Sequence, residues 1–148
     1  MWSLTQPVYA LDSTTISVCL TRFRWAHYRR AKGGFKLHTV LDEDIQLPVV
    51  MNMTHGKRAD VKEAKAAIEA LGNKEITVVM DRGYNDYALF MWLTKRGTKF
   101  VTRIKENAKT TRLKDDVIEE GENFGDYGFR FTQVKAQEVC GDTRFRLV

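Results

Sequence analysis

Cysteine is scarce in this chain, and long apolar runs are absent from it. The two cysteines, Cys19 and Cys140, are far apart and outside any C-x-x-C spacing, so neither a disulfide framework nor a structural zinc site is expected. No apolar run approaches the roughly 18 residues of a membrane-spanning helix, and the first residues lack the pattern of a signal peptide. These absences indicate a soluble, reduced, cytoplasmic domain with no membrane association.

The chain is basic, and its charges are segregated. The 24 Lys and Arg residues outnumber the 19 Asp and Glu residues, for a net charge of +5 over 148 residues. This favours an anionic partner such as nucleic acid without requiring one. Segment 20–32 mixes basic residues with aromatic rings that could stack on bases; it could also be a solvated loop whose Trp25 packs on the core. Acidic residues dominate segment 115–126.

Three strands are predicted early in the chain, at residues 8–19, 35–41 and 47–53, because these segments are rich in β-branched and apolar residues. Short connections suggest an antiparallel arrangement. In the second strand, Lys36, His38 and Val40 share one face.

The periodicity then changes to that of a helix. Asp60 and Glu63 form a D-x-x-E pattern typical of a helix start, and apolar residues follow at helical spacing. A helix at 60–71 would carry the chain across to a strand at 76–80, which could then lie parallel to an earlier strand.

A second helix and a further strand complete the predicted core. Asn85 or Asp86 can cap a helix that ends before Gly97, and residues 99–104 alternate as a strand. The order β-β-β-α-β-α-β is that of the ribonuclease H-like fold, an α/β fold with a mixed sheet. Beyond residue 108 the pattern weakens into charged residues, followed by strand-like segments at 125–134 and 143–148.

Two acids stand out against these strands. Asp12 lies in the middle of the first strand, and Asp81 ends the fourth, where Gly83 allows a sharp turn. The first and fourth strands are neighbours in this fold, so the two carboxylates would lie side by side. Such a pair suits Mg²⁺ or Mn²⁺ and is the beginning of a two-metal phosphoryl-transfer site. The alternative is an outward-facing Asp12 at a strand bulge.

Five segments resemble the DDE transposases of bacterial insertion sequences. They follow in the expected order and cover roughly residues 8–108. They are LDSTTI around Asp12, GGFKLHTVLD at 33–42, THGKRADV at 54–61, MDRGYND at 80–86 and KFVTRIKENA at 99–108.

The resemblance implies metal-dependent DNA transposition, in which strand cleavage at transposon ends is followed by strand transfer into target DNA. Asp12 and Asp81 would be catalytic, metal-binding acids for Mg²⁺ or Mn²⁺. Double-stranded DNA would be the partner, and the complete protein would act as a homodimer bridging two transposon ends, associated with the nucleoid when bound. Candidate DNA contacts are Lys36, His38, Arg82, Tyr84, Arg103 and Lys105; for Tyr84, packing in the core is the alternative.

The family also requires a third acid, a Glu. In the subgroup with a β-rich insertion, this Glu follows the insertion in a Y-x2-R-x3-E-x6-K pattern. Tyr127 and Arg130 fit that pattern, but Val134 stands where the Glu belongs, in a segment that alternates like a strand. Residues 1–108 are therefore expected to be an incomplete catalytic core and residues 109–148 the beginning of the insertion, with the chain inactive or nearly so by itself.

Two other hypotheses remain open. A stand-alone ribonuclease H-like nuclease could take its last carboxylate from Glu106 or Glu138, although nothing around Glu138 indicates a helix. A non-catalytic DNA-binding module could use its basic loop to bind the DNA backbone without sequence preference.

Overall fold

The computed structural model describes residues 6–19, 21–22, 24, 27–29, 32–56, 60–120 and 125–147. The chain divides into two compact units, Met1–Arg103 and Ile104–Val148. Within the described residues, the first unit has a mixed sheet with two α-helices, and the second has a small antiparallel sheet with one.

The first unit is built on a six-stranded sheet. Its strands are β1 (Val8–Val18), β2 (His27–Arg29), β3 (Lys32–Asp42), β4 (Leu47–His55), β5 (Thr77–Met80) and β6 (Lys99–Thr102). β3 pairs antiparallel with β1, β2 and β4, whereas the β1–β5 and β5–β6 pairs are parallel. Parallel neighbours need crossover connections, usually helical. The predicted α/β class with a mixed sheet is confirmed; β2 was not predicted.

Two helices supply those crossovers. α1 (Asp60–Ala70) joins β4 to β5, and α2 (Tyr87–Arg96) joins β5 to β6. The side chain of Asp86 accepts a hydrogen bond from the Leu89 N–H at 2.8 Å, and Gly97 ends α2 with φ +80°, a left-handed conformation that favours glycine. Both helix predictions are confirmed. No helix among the described residues is both long and apolar enough to span a membrane.

The core of the first unit lies on one face of its sheet. Both helices pack there against alternate strand residues, and the Phe90 and Phe100 rings stack with centroids 4.9 Å apart. The buried cluster comprises Leu11, Val40, Ala64, Ala67, Ile68, Ile76, Val78, Met80, Tyr84, Leu89 and Leu93.

The opposite face of this sheet presents apolar side chains to solvent. Alternation along the strands places them away from the helices. They are Ile16, Met51, Met53, Val79 and Val101, of which Met53 is 62% exposed. Asp12 belongs to the same face, because it pairs with Thr39, whose neighbours His38 and Val40 are buried on the helix side.

The second unit has its own small core. β7 (Thr110–Glu120), β8 (Gly125–Phe131) and β9 (Phe145–Leu147) form an antiparallel sheet in that order, and α3 (Val134–Cys140) lies between β8 and β9 in the chain. The Phe129, Phe131 and Phe145 rings contact one another, with centroids 5.1 to 5.8 Å apart. Buried Asp126 accepts hydrogen bonds from the Arg146 guanidinium, which lowers the pKa of the Asp126 carboxyl.

Two expectations for this unit were wrong. The predicted strand at 125–134 ends at Phe131, and a helix begins at Val134, so Glu138 does lie on a helix. This helix has seven residues with Ala136 and Cys140 buried, too few apolar positions for a clear period. The segment after residue 108 contains β7, whose acidic residues and register shifts conceal the alternation of a strand.

Candidate functional site

The pairing of β1 with β5 places Asp12 and Asp81 at the same level of the sheet. Leu11 and Met80 are partners in this parallel ladder, and each acid is the next residue along its strand. Adjacent strands lie roughly 4.8 Å apart, and both acids are exposed. The β1–β3 register runs through Asp12 without a shift, so the alternative of a bulge does not apply. Two neighbouring carboxylates therefore face solvent.

The Asp81 carboxylate is held by the turn that follows it. Its Oδ1 accepts the Gly83 N–H at 2.8 Å and so caps a 3₁₀ turn, Arg82–Tyr84. A Cβ on Gly83 would lie 3.0 Å from this oxygen, closer than carbon and oxygen atoms normally pack. Gly83 is not among the residues with positive φ. Glycine is therefore favoured at this position by the close approach of the carboxylate, and not by a left-handed backbone as the turn suggested.

Hydrogen bonds also fix the backbone of Asp81 to the end of β6. The Thr102 hydroxyl donates to the Asp81 carbonyl oxygen at 3.1 Å. Asn85 Nδ2 donates to Thr102 Oγ1 at 3.2 Å and to the Arg103 carbonyl oxygen at 2.8 Å. Asn85 was predicted only as a possible helix cap, and Thr102 was not predicted to belong to the site. Their contacts depend on the pairing of β5 with β6, which the sequence does not reveal residue by residue.

Tyr84 lies behind the two acids, inside the core. It is 1% exposed, which agrees with the packing alternative and is unsuitable for contact with DNA. Burial raises the pKa of its phenol, and the carboxylates of Asp60, Asp12 and Asp81 raise it further. The nearby Ser13 hydroxyl lowers the pKa of the phenol and so opposes this rise. The Tyr84 hydroxyl nevertheless forms no hydrogen bond with Ser13. Tyr84 thus places a neutral hydroxyl among three acids.

Lys36 and His38 lie on the helix face of β3. The Lys36 ammonium donates to both carboxylate oxygens of Asp60, at 2.9 and 3.1 Å, and its side chain is 15% exposed. His38 is 1% exposed, and its Nε2 is 2.8 Å from the Thr54 hydroxyl. Both were predicted to contact DNA. In this structure neither presents the exposed cationic group that a phosphate contact needs, because alternation turns them toward α1.

The other predicted DNA contacts are more accessible. Arg103 and Lys105 are exposed, and Arg82 is partly exposed. Arg82 and Arg103 belong to the first unit, near the ends of β5 and β6, whereas Lys105 belongs to the second.

The acid pair fits a divalent cation in donor chemistry. Carboxylate oxygens are the ligands that Mg²⁺ and Mn²⁺ prefer, both acids are exposed, and the Gly83 N–H orients Asp81. No group of three or more His, Cys, Asp or Glu side chains among the described residues has the arrangement of a metal site. Two carboxylates by themselves would be only part of the ligand set of such an ion.

The fold and the site define an α/β protein with two neighbouring acids on adjacent parallel strands, one within β1 and the other directly after β5. Residues 3–143 match the family model described as the transposase DDE domain. The chain belongs to this transposase family, and the predicted resemblance is confirmed.

Two relatives in bacteria carry matching names. The chain is 30% identical over 109 residues to the probable transposase for insertion sequence element IS5377 of Geobacillus stearothermophilus. The aligned region is 74% of this chain and 28% of that protein. Over 102 residues the chain is 28% identical to y4zB of Sinorhizobium fredii (strain NBRC 101917 / NGR234), also named as a transposase, covering 68% and 28% respectively. The chain thus matches less than a third of the length of each relative.

The contact between Gly83 and Asp81 predicts a specific coupling. Substitution of Gly83→Ala should destabilise the first unit by about 1 kcal/mol, because the new methyl group crowds Asp81 Oδ1. In an Asp81→Ala background the same substitution should be neutral or slightly stabilising, since alanine reduces the entropy of the unfolded chain. Urea unfolding of the four proteins measures the coupling; equal effects in both backgrounds would show that the carboxylate is not what excludes a side chain.

Proposed function

We propose that the first unit is the ribonuclease H-like core of a transposase catalytic domain and that Asp12 and Asp81 are two of its metal-binding acids. One observation carries the proposal. The β1–β5 register aligns Leu11 with Met80. The two exposed carboxylates that follow them, from distant parts of the chain, therefore lie side by side on the same face of the sheet. Membership of the transposase DDE domain family gives this pair its chemical context.

The proposed reaction is cleavage of DNA at transposon ends, followed by joining to target DNA. Water attacks a backbone phosphorus and the bond to the 3′ oxygen breaks, which frees a 3′-hydroxyl. This hydroxyl then attacks a phosphorus of the target, and the 3′ oxygen bonded to that phosphorus leaves as a hydroxyl of the target strand. Mg²⁺ or Mn²⁺, as two ions in the complete enzyme, would activate the attacking oxygen and stabilise the leaving one. Asp12 and Asp81 would hold their oxygens on the face of the sheet without helices for this purpose, and the Gly83 N–H fixes the orientation of Asp81.

The proposed DNA contacts in the first unit are Arg82 and Arg103. Arg82 follows Asp81 at the end of β5, and Arg103 follows the end of the neighbouring strand β6. At these positions a basic side chain can neutralise a phosphate beside the scissile bond. Lys105 is a further candidate in the second unit. In the complete protein, two copies would each hold a transposon end.

The chain by itself is proposed to be inactive or nearly so. Among the described residues no group of three acids or other metal-binding side chains is assembled, and the match covers 28% of each relative. A third carboxylate, a Glu by family resemblance, would complete the site.

The metal site is tested by titration with Mn²⁺. Asp12→Asn and Asp81→Asn should each weaken Mn²⁺ binding by at least about 10-fold, because each removes a charged oxygen ligand. Asp86→Asn is the matched control: it removes the same charge five positions from Asp81, and asparagine preserves the cap on α2. Calorimetry or paramagnetic resonance measures the affinity. Binding that survives substitution of both acids would rule out this site.

The DNA contact is tested by the salt dependence of binding to a DNA duplex. Arg103→Ala should lower affinity and reduce the slope of log affinity against log salt by about 1, as expected for loss of one phosphate contact. Lys95→Ala, an exposed cation in the last turn of α2, is the control for loss of net charge. If both substitutions change the slope equally, Arg103 makes no specific phosphate contact.

Inactivity is tested with supercoiled plasmid in Mg²⁺ or Mn²⁺. The chain should nick the plasmid no faster than its Asp12→Asn variant, because the site lacks its third acid. Nicking that Asp12→Asn abolishes would instead support a self-sufficient nuclease. Substitution of Glu106 and Glu138 would then show whether either supplies the last carboxylate.

A further inference from the structure

Asp60 joins α1 to both central strands of the antiparallel half of the sheet. It is the first residue of α1, and its carboxylate lies over the helix face of β1 and β3. Oδ1 accepts the Ser13 hydroxyl at 2.8 Å, and the Lys36 ammonium donates to Oδ1 at 2.9 Å and to Oδ2 at 3.1 Å. One carboxylate thus connects three elements of the first unit.

This contact is largely withdrawn from water. The side chains of Lys36 and Asp60 are 15% and 23% exposed. Burial alone would raise the pKa of the Asp60 carboxyl, but the hydrogen bonds from Lys36 and Ser13 outweigh it, and the pKa is lowered. Asp60 is therefore a carboxylate fixed by two donors, unlike an exposed surface pair that contributes little.

Ser13 connects this buried contact to the acid pair. Ser13 directly follows Asp12 in β1, and successive side chains of a strand point to opposite faces. Ser13 consequently faces α1 while Asp12 faces away from it, and the two share a peptide group. Tyr84 is buried on the same side of the sheet as Ser13, and the carboxylates of Asp60, Asp12 and Asp81 raise the pKa of its phenol beyond the effect of burial.

We propose that Asp60, held by Lys36, is a positioning residue for Asp12: through Ser13 it fixes β1 from the helix side of the sheet and so keeps the Asp12 carboxylate beside Asp81. This inference rests on the proposed metal site. It assigns Lys36 an internal role in place of a DNA contact. Asp60 does not itself touch the acid pair, so its effect is transmitted through the backbone between Ser13 and Asp12.

Substitution of Asp60→Ala should weaken Mn²⁺ binding about 10-fold, in the range typical of residues that orient metal ligands. Ser13→Ala removes the hydrogen bond through which Asp60 acts on β1 and should weaken Mn²⁺ binding to a similar extent, although it leaves the Lys36–Asp60 pair intact. Lys36→Met should weaken Mn²⁺ binding as much as Asp60→Ala does. Lys36→Arg keeps the charge and the donors and should retain the wild-type affinity for Mn²⁺. Glu69→Ala removes an exposed acid from the same helix and should leave affinity unchanged.

Hydrogen exchange of the metal-free protein separates positioning from general stability. In Asp60→Ala the amides of residues 11–14 should exchange faster, while those of β5 and α2 keep their wild-type rates. Faster exchange throughout the first unit would reduce Asp60 to a structural residue and overturn the inference. Unchanged Mn²⁺ affinity in Asp60→Ala would overturn it as well.

The same measurements separate failure of this inference from failure of the proposed function. If wild-type protein binds no Mn²⁺, the metal site is wrong, and the exchange of residues 11–14 alone then decides whether Asp60 orders β1 at Asp12. If wild-type protein binds Mn²⁺ and Asp60→Ala binds it equally well, the metal site stands and the role of Asp60 does not.

Discussion

Parallel pairing between β1 and β5 is the contact on which the arrangement of the first unit depends. β1 pairs on one side with β3, which is close in the chain, and on the other with β5, which begins at Thr77. A parallel neighbour requires a crossover, and α1 provides it. Buried side chains of this helix belong to the same core cluster as Leu11, Val40 and Val78. The burial that stabilises the crossover therefore also fixes the register that aligns Asp12 with Asp81.

The two faces of this sheet are chemically different, and the acids lie on the side without helices. α1 and α2 both pack on one face, while Met51, Met53 and Val101 remain exposed on the other. Neighbouring carboxylates repel each other, and a low-dielectric core would increase that repulsion. An exposed position lowers this cost while leaving the oxygens accessible to a cation. The core and the helices lie on one face of the sheet, and the two acids face solvent on the other.

Much of this could be predicted from the sequence, because alternation and helical spacing are local signals. The strands at Asp12 and Asp81 and both crossover helices followed from them, whereas the adjacency of the two acids followed from the strand arrangement of the ribonuclease H-like fold. Alternation showed that Lys36 and His38 share a face, but not that this face meets α1. The D-x-x-E pattern placed Asp60 at a helix start, but could not reveal its contact with Ser13, 47 positions away. α3 was missed because its seven residues are too few for the helical spacing of apolar residues to be recognised.

Alternation along β1 gives a physical reason for the juxtaposition of Asp12 and Ser13. An exposed carboxylate that is hydrogen-bonded through one of its own oxygens has fewer lone pairs left for other contacts. Its neighbour points to the opposite face and can be anchored in the core at no cost to that exposure. Ser13 donates to Asp60 in this way, whereas Asp81 is held directly, because its Oδ1 accepts the Gly83 backbone N–H. Asp12 is thus constrained through its neighbour in the strand and Asp81 through a backbone N–H two residues further on, and both carboxylates remain exposed.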